Sequence, residues 1–173
     1  MASLTDRMIR AAQLDVSLYE EVEADRDATA QAMSVVVLSS LALGVGSYSE
    51  IGMRGLIGGT FAALVGWFVW AFVTYWIGTR LLPEPQTQAD LGQMLRTIGF
   101  SSSPGVLRVL GAIPGLWNLV VFGTSLWMLA AMVIAVRQSL DYKGTLRALG
   151  VCILGWLIQV ILIAFLYRLS GSV

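Results

Sequence analysis

The chain of 173 residues has no histidine, one cysteine, four prolines and only 13% charged residues. Each shortage removes a class of chemistry. Histidine is the commonest metal ligand and the usual proton shuttle near neutral pH. Without it, haem, histidine-ligated chlorophyll and ordinary zinc sites are not expected, and no metal or cofactor is assigned. The single Cys152 excludes an internal disulfide and reads as a small packing residue. Acids are scarcer still: beyond residue 27 only Glu50, Glu84, Asp90 and Asp141 remain, all in expected loops. Proton relays and sodium-coupled carriers place carboxylates inside the membrane, so ion-coupled transport is disfavoured. No nucleophile–base pair, metal cluster or nucleotide loop stands out. The sequence therefore argues against an enzyme and against a nucleic-acid partner.

What is present is apolar. Hydrophobic residues make up 57% of the chain, and mean hydropathy is +0.75, whereas a water-soluble domain carries about 25% charged residues. Ala28–Ser49, Gly55–Thr79, Leu116–Val136 and Ala148–Tyr167 contain no charge at all. Each is long enough to cross a hydrocarbon core about 30 Å thick at 1.5 Å per helical residue. Continuous apolar runs rather than alternation select helices over a barrel. The expected fold is an all-α polytopic membrane protein.

Charge placement sets the expected count and direction of spans. If Leu91–Gly115 is also a span and the N-terminus lies inside, then Arg7, Arg10, Arg26, Arg80, Arg137, Lys143 and Arg147 share the inner side. That obeys the bias of positive charge toward the cytoplasm. Four spans would move the 137–147 cluster outside. The expectation is five spans, about 28–49, 55–79, 91–113, 116–136 and 147–169, as one membrane domain over 28–173, N-terminus in and C-terminus out. Tyr75, Trp76, Trp117 and Tyr167 stand where amphipathic rings meet headgroups. Gly55, Gly59 and Ala63 form a ridge of small residues, which invites close helix packing. Asn118, Gln159, Thr97 and Thr124 are intramembrane polar groups suited to interhelical hydrogen bonds. Arginine outnumbers lysine ten to one, as in GC-rich bacterial genomes, and the bacterial cytoplasmic membrane is the expected location.

Residues 1–27 hold seven acids and three arginines, net −4, while the remainder is net +4. With so much charge ahead of the first apolar run, that run is expected to act as a signal-anchor. Leu4, Met8, Ala11, Leu18 and Val22 follow the spacing of one helix face, predicting an amphipathic acidic N-terminal helix. Asp15 interrupts that face. Either it finds a cationic partner, or the helix breaks there and restarts at Ser17, where Ser17-Leu-Tyr-Glu20 fits a capping box. A helix meant for the anionic inner leaflet would be basic, and this one is acidic. It is expected to dock on the protein's own inner face through Asp15, Tyr19, Glu20, Glu21 and Glu23, near Arg80, Arg137, Lys143 or Arg147.

The segment MLRTIGFSSSPGVLRVLGAIPG (94–115) holds two arginines, three serines and two prolines. Pro104 cannot donate a backbone N–H and disfavours helix at Ser103. The third span is therefore expected to be broken near Ser103–Pro104, with pieces at roughly Leu91–Ser102 and Val106–Ala112. Irregular backbone at membrane depth needs burial or water. Ser101, Ser102 and Ser103 either repair a kink or line a polar site. Arg96 and Arg108 either snorkel to headgroups or form a lipid or anion site with those serines.

The N-terminal LDVSLYEEVEADRDATAQA, the broken RTIGFSSSPGVLRVLGAIPG and the exit MVIAVRQSLDYKGTLRALGV together resemble prokaryotic members of the Yip-domain family. That resemblance implies a five-span integral membrane protein with a cytoplasmic N-terminus. The eukaryotic branch is named for Ypt/Rab GTPases and is implicated in endoplasmic reticulum–Golgi trafficking, but it carries a long cytosolic N-terminal region. Here fewer than 30 residues precede the first apolar run. Three functions follow as expectations. The first is a scaffold or accessory subunit that binds another membrane protein or itself. The second is a lipid- or anion-handling, scramblase-like protein, and the third is a GTPase-interacting adaptor, which rests on analogy alone.

Overall fold

The computed structural model describes residues 2–170; for 48–51 and for most residues beyond Ile161 it describes the backbone alone. Among these, seven α-helices account for almost all of the regular structure. The charged N-terminal segment forms two helices rather than one. The first, α1 (Leu4–Ala12), is capped by Ser3, whose hydroxyl accepts from the Asp6 amide. A turn through Leu14, at φ 63°, leads to α2 (Val16–Ala24). Asp15 caps α2 by accepting from the Ser17 amide at 2.9 Å. It also takes the Arg10 guanidinium at 2.9 Å. Both readings of Asp15 thus hold: the helix breaks, and the carboxylate has a cation. The cap is two residues earlier than the Ser17 box places it, because a carboxylate at Asp15 meets the free amides first.

Helix α3 (Ala28–Gly46) follows directly, then α4 (Tyr48–Trp76), interrupted at Gly52 where φ is 58°. A π-helical turn over Ile77–Leu81 extends α4. The carbonyls of Gly78 and Leu82 there accept from the Tyr142 hydroxyl at 3.1 and 2.7 Å, which fixes this end against the loop after the next long helix.

The broken third segment is present and its break is at Ser102. Helix α5 (Leu91–Ser101) starts from an Asp90–Gln93 capping box and gives way to a 3₁₀ stretch over Ser103–Ala112 with Pro104 in its first turn. Proline lacks the N–H that continuing α5 would need, and a new segment starting at Ser103 puts Pro104 in a first turn, where no N–H is required. At 1.5 and 2.0 Å per residue the two pieces together extend about 36 Å. They run parallel to α3 over its whole length. A side chain at Gly99 would meet Ala32, one at Gly105 would meet Ser39, and one at Gly46 would meet the Arg108 carbonyl.

Then come α6 (Trp117–Ser139) and α7 (Thr145–Ser170). Among the described residues, three helices are long and apolar enough to cross a membrane: Ala28–Gly46, Gly52–Leu81 and Trp117–Ser139; the described part of α7 adds the shorter apolar stretch Thr145–Ile161. The expected aromatic marker Trp76 is exposed, and the Tyr167 side chain lies outside the described residues. Two apolar cores join the bundle. One packs Ile77, Met94, Ile98, Val136 and Leu140 between α4, α5, α6 and α7. The other packs Leu18, Tyr19 and Val22 of α2 onto Ala32, Val35, Phe100 and Ala135, so the N-terminal segment is part of the folded core.

Candidate functional site: a docked hairpin and a membrane cavity

Helices α1 and α2 fold back on each other as a hairpin, and Arg7 holds them together. Its side chain is 4% exposed and reaches Glu21 at 2.9 Å and Asp25 at 2.7 Å, with Gln31 of α3 accepting at 2.8 Å. Arg10 bridges Asp15 and Glu21 across the same hairpin. The hairpin lies along α6. At its inner end the Gln138 amide donates to Glu20 at 2.9 Å. At its tip the Trp127 indole donates to the Ala12 carbonyl at 2.7 Å. Those two α6 residues are about 16 Å apart along the helix axis.

The hairpin packs on the bundle, but not through the basic residues named for it. Among the described residues, no ion pair joins Glu20, Glu21 or Glu23 to Arg80, Arg137, Lys143 or Arg147. Arg137 donates to the Tyr142 and Lys143 carbonyls and to Thr145. Arg147 pairs with Glu84 at 3.4 Å and lies over the Tyr142 ring. Outside the hairpin, the cation that meets α2 is Arg96 of α5, 5% exposed, which donates to the carbonyls of Val22 and Glu23. Those are orphan carbonyls of the last turn of α2, where a positive charge also complements the helix dipole. Arg96 is therefore occupied inside the protein. Tyr19 is fully buried in the same interface.

Four carboxylates gather around this contact. Glu23 of α2 faces Asp141 of the α6–α7 loop, Glu20 of α2 and Asp90 at the head of α5, with Arg96 as the opposing charge. Burial first, then Asp141, pushes the Glu23 carboxyl from 4.5 up to about 7; Arg96 works against this. An acid whose folded pKa is raised holds its proton more tightly when docked, so docking weakens as pH rises from about 4.5 through 7. Glu21 and Asp25 behave oppositely: hydrogen bonds from Arg10 and Arg7 hold them below the usual carboxylate range, and their contribution is lost on acidification. The hairpin should therefore be held most firmly near pH 4.5–5 and lose about 1–2 kcal/mol by pH 8, a figure reduced for partial exposure. Amide exchange across residues 4–24 measures this, and Glu23→Gln should flatten the alkaline side of the profile. A wild-type profile flat from pH 5 to 8 would refute it.

The three serines divide. Ser101 and Ser103 are buried and donate to the Ile98 and Phe100 carbonyls at 2.7 Å each, which is repair of the break. Ser102 is partly exposed and lines a cavity of about 1180 Å³ between α3, α4, the 3₁₀ stretch and α6. Gly55, Gly59 and Ala63 line the same cavity. A side-chain carbon at Gly59 would meet nothing within 4 Å, so the ridge faces open space there rather than a neighbouring helix. Arg108 also lines it, donating to Thr124 at 3.2 Å and Ser125 at 2.9 Å. Thr97 does make an interhelical bond, to Ser139 at 2.6 Å. The site residues thus form two groups: Arg96 with α2 at the inner end, and Ser102 with Arg108 and the small residues around the cavity.

Arg7 and Trp127 were not visible as site residues in the sequence. The signal for Arg7 was its position three residues after Leu4 and four before Ala11, on the face that packs inward.

A family model described as the Yip1 domain matches residues 17–166. The chain belongs to the Yip1-domain family. Its match starts at the first turn of α2 and runs into α7, so it takes in the docking surface of α2, Arg96, the broken segment and the cavity. No curated protein and no solved structure matches the chain. With its long apolar helices, this Yip1-domain chain is an integral membrane protein.

Proposed function

We propose that this Yip1-domain protein is a non-enzymatic assembly protein that binds another membrane protein, or a second copy of itself, along the outer face of the α1–α2 hairpin. The observation that carries the reading is the depth of the hairpin. Its tip touches Trp127, midway along α6, while its outer face presents Thr5, Asp6, Gln13, Ser17 and Glu20 around the exposed apolar side chains of Ile9 and Val16. A charged group in hydrocarbon costs about 2.5–3.5 kcal/mol. A polar, acidic face at that depth needs protein or water against it. The reading takes the chain through the bacterial cytoplasmic membrane five times, the 91–112 segment being one crossing, with the hairpin and the loops bearing Arg80, Arg137, Lys143 and Arg147 inside.

A photoreactive residue in the full chain, in its native membranes, tests this. At Thr5, Gln13 or Ser17 it should yield a discrete protein adduct. At Phe61, on the bare apolar side of α4 and 70% exposed, it should label lipid. Lipid adducts alone at all four positions would overturn the reading.

A further inference from the structure

We propose that the cavity between α3, α4 and α6 is a phospholipid site, with the phosphate held by Arg108 and an acyl chain laid along the glycine face of α4. No hairpin residue lines this cavity, so the proposal stands apart from the assembly reading and can fail without it.

Among the described lining residues Arg108 is the one charged group. Both of its acceptors, Thr124 and Ser125, are neutral. Among the described residues no carboxylate pairs with it, and its Nη1 has no hydrogen-bond partner. An arginine at membrane depth without a counter-charge calls for an anion. The free part of a guanidinium fork matches the paired oxygens of a phosphate. Arg96 differs in its acceptors, since its Nε and Nη2 donate to the orphan carbonyls that end α2. Two further donors stand near: the Ser102 hydroxyl and the Gln159 amide line the cavity and make no hydrogen bond with any described residue. A second cavity of about 860 Å³, between α4, α6 and α7, shares Arg108, Gln159, Met128, Met132 and Trp70 with the first. Arg108 therefore faces both spaces.

The rest of the lining says what the anion is attached to. The cavity begins near Ser47, Pro114 and Trp117, at the ends of α3 and the 3₁₀ stretch, and continues to Ile98, Trp70 and Met132 in mid-bundle. There the Trp70 indole lies 3.2 Å from the Met132 sulfur and joins α4 to α6. Beyond the few polar groups the walls are apolar, and Gly59 and Gly66 leave open space where side chains would otherwise stand. Free phosphate has no use for such a chamber. A phospholipid does, because its charge and its chain leave water together. Lateral entry is available along α4, whose outward face carries Phe61, Val65 and Phe68 bare.

The test uses the full chain, reconstituted in phosphatidylcholine vesicles containing a minority of phosphatidylglycerol, then released gently and weighed by native mass spectrometry. One phosphatidylglycerol per chain should be retained. Arg108→Gln should lower that retention about tenfold, the usual worth of a charge-assisted bond. Gly59→Leu should also displace the lipid by filling the chamber. Gly58→Leu, on the neighbouring position where a side chain likewise meets nothing and outside the lining, should leave retention unchanged. If Arg108→Gln fails to fold, the two glycine variants carry the comparison. Wild-type retention in both Arg108→Gln and Gly59→Leu would overturn the proposal. So would inorganic phosphate bound at Arg108 with no phospholipid retained.

Discussion

Arg7→Met will free the N-terminal hairpin while leaving the long helices intact. The guanidinium is buried, with its side chain 4% exposed, and three acceptors on two elements converge on it: Glu21 and Asp25 of the α2 region and Gln31 of α3. Removing one partner of a buried ion pair costs about 3–5 kcal/mol, because the other charge stays behind unpaired. Here Glu21 and Asp25 are 34% and 25% exposed, so water relieves part of that penalty, and about 2–3 kcal/mol is expected. Hydrogen exchange should then quicken roughly 30- to 150-fold across residues 4–24, at tenfold per 1.4 kcal/mol. Exchange in α6 and α7 should change little. Arg10→Met makes the comparison: its side chain is 26% exposed and its acids all lie within the hairpin, so the change should be several-fold smaller. Unchanged exchange in Arg7→Met would mean that the apolar contacts of Leu18, Tyr19 and Val22 hold the hairpin alone.

Gly99→Leu should be the most damaging glycine substitution on the α3–α5 crossing, and Gly59→Leu nearly silent for stability. A side-chain carbon at Gly99 would lie 2.7 Å from the Ala32 Cβ and 3.1 Å from its carbonyl oxygen. Backbone cannot move aside as a flexible side chain can, so the two helices must separate. Overpacking of this kind costs about 1–3 kcal/mol, and for four added carbons the upper end applies. At Gly59 the same side chain enters open space. Thermal unfolding in detergent, followed by the loss of helical circular dichroism, separates the two. Equal midpoints for Gly99→Leu and Gly59→Leu would refute the assignment of which glycines pack.

The break in the third segment was legible because proline's missing N–H is a local property. The docking of the acidic segment was legible from charge, since an acidic amphipathic face is out of place on an anionic leaflet. Its partners were not. Basic residues in the inner loops looked the natural match for Glu20, Glu21 and Glu23, yet the α2 contact is made by Arg96, to backbone carbonyls more than 70 residues away in sequence. Carbonyl acceptors leave no mark in a side-chain pattern. The same holds for the glycines. Spacing marks Gly55, Gly59 and Ala63 as a small face, but a small face suits a close neighbour and an empty chamber equally well. The close approaches instead fall at Gly44, Gly46, Gly78, Gly99, Gly105 and Gly111, which share no single repeat.

By itself, then, the sequence determined the solvent of this protein, its helical construction, the break before Pro104 and the association of its charged segment with the bundle. Those properties depend on composition and on short-range periodicity, both of which are linear. Only the tertiary structure decided which arginine is satisfied and which is left facing a cavity. Arg96 and Arg108 sit in similar apolar surroundings twelve residues apart. The difference between them lies in the elements folded against each: carbonyls of α2 beside Arg96, two hydroxyls and open space beside Arg108.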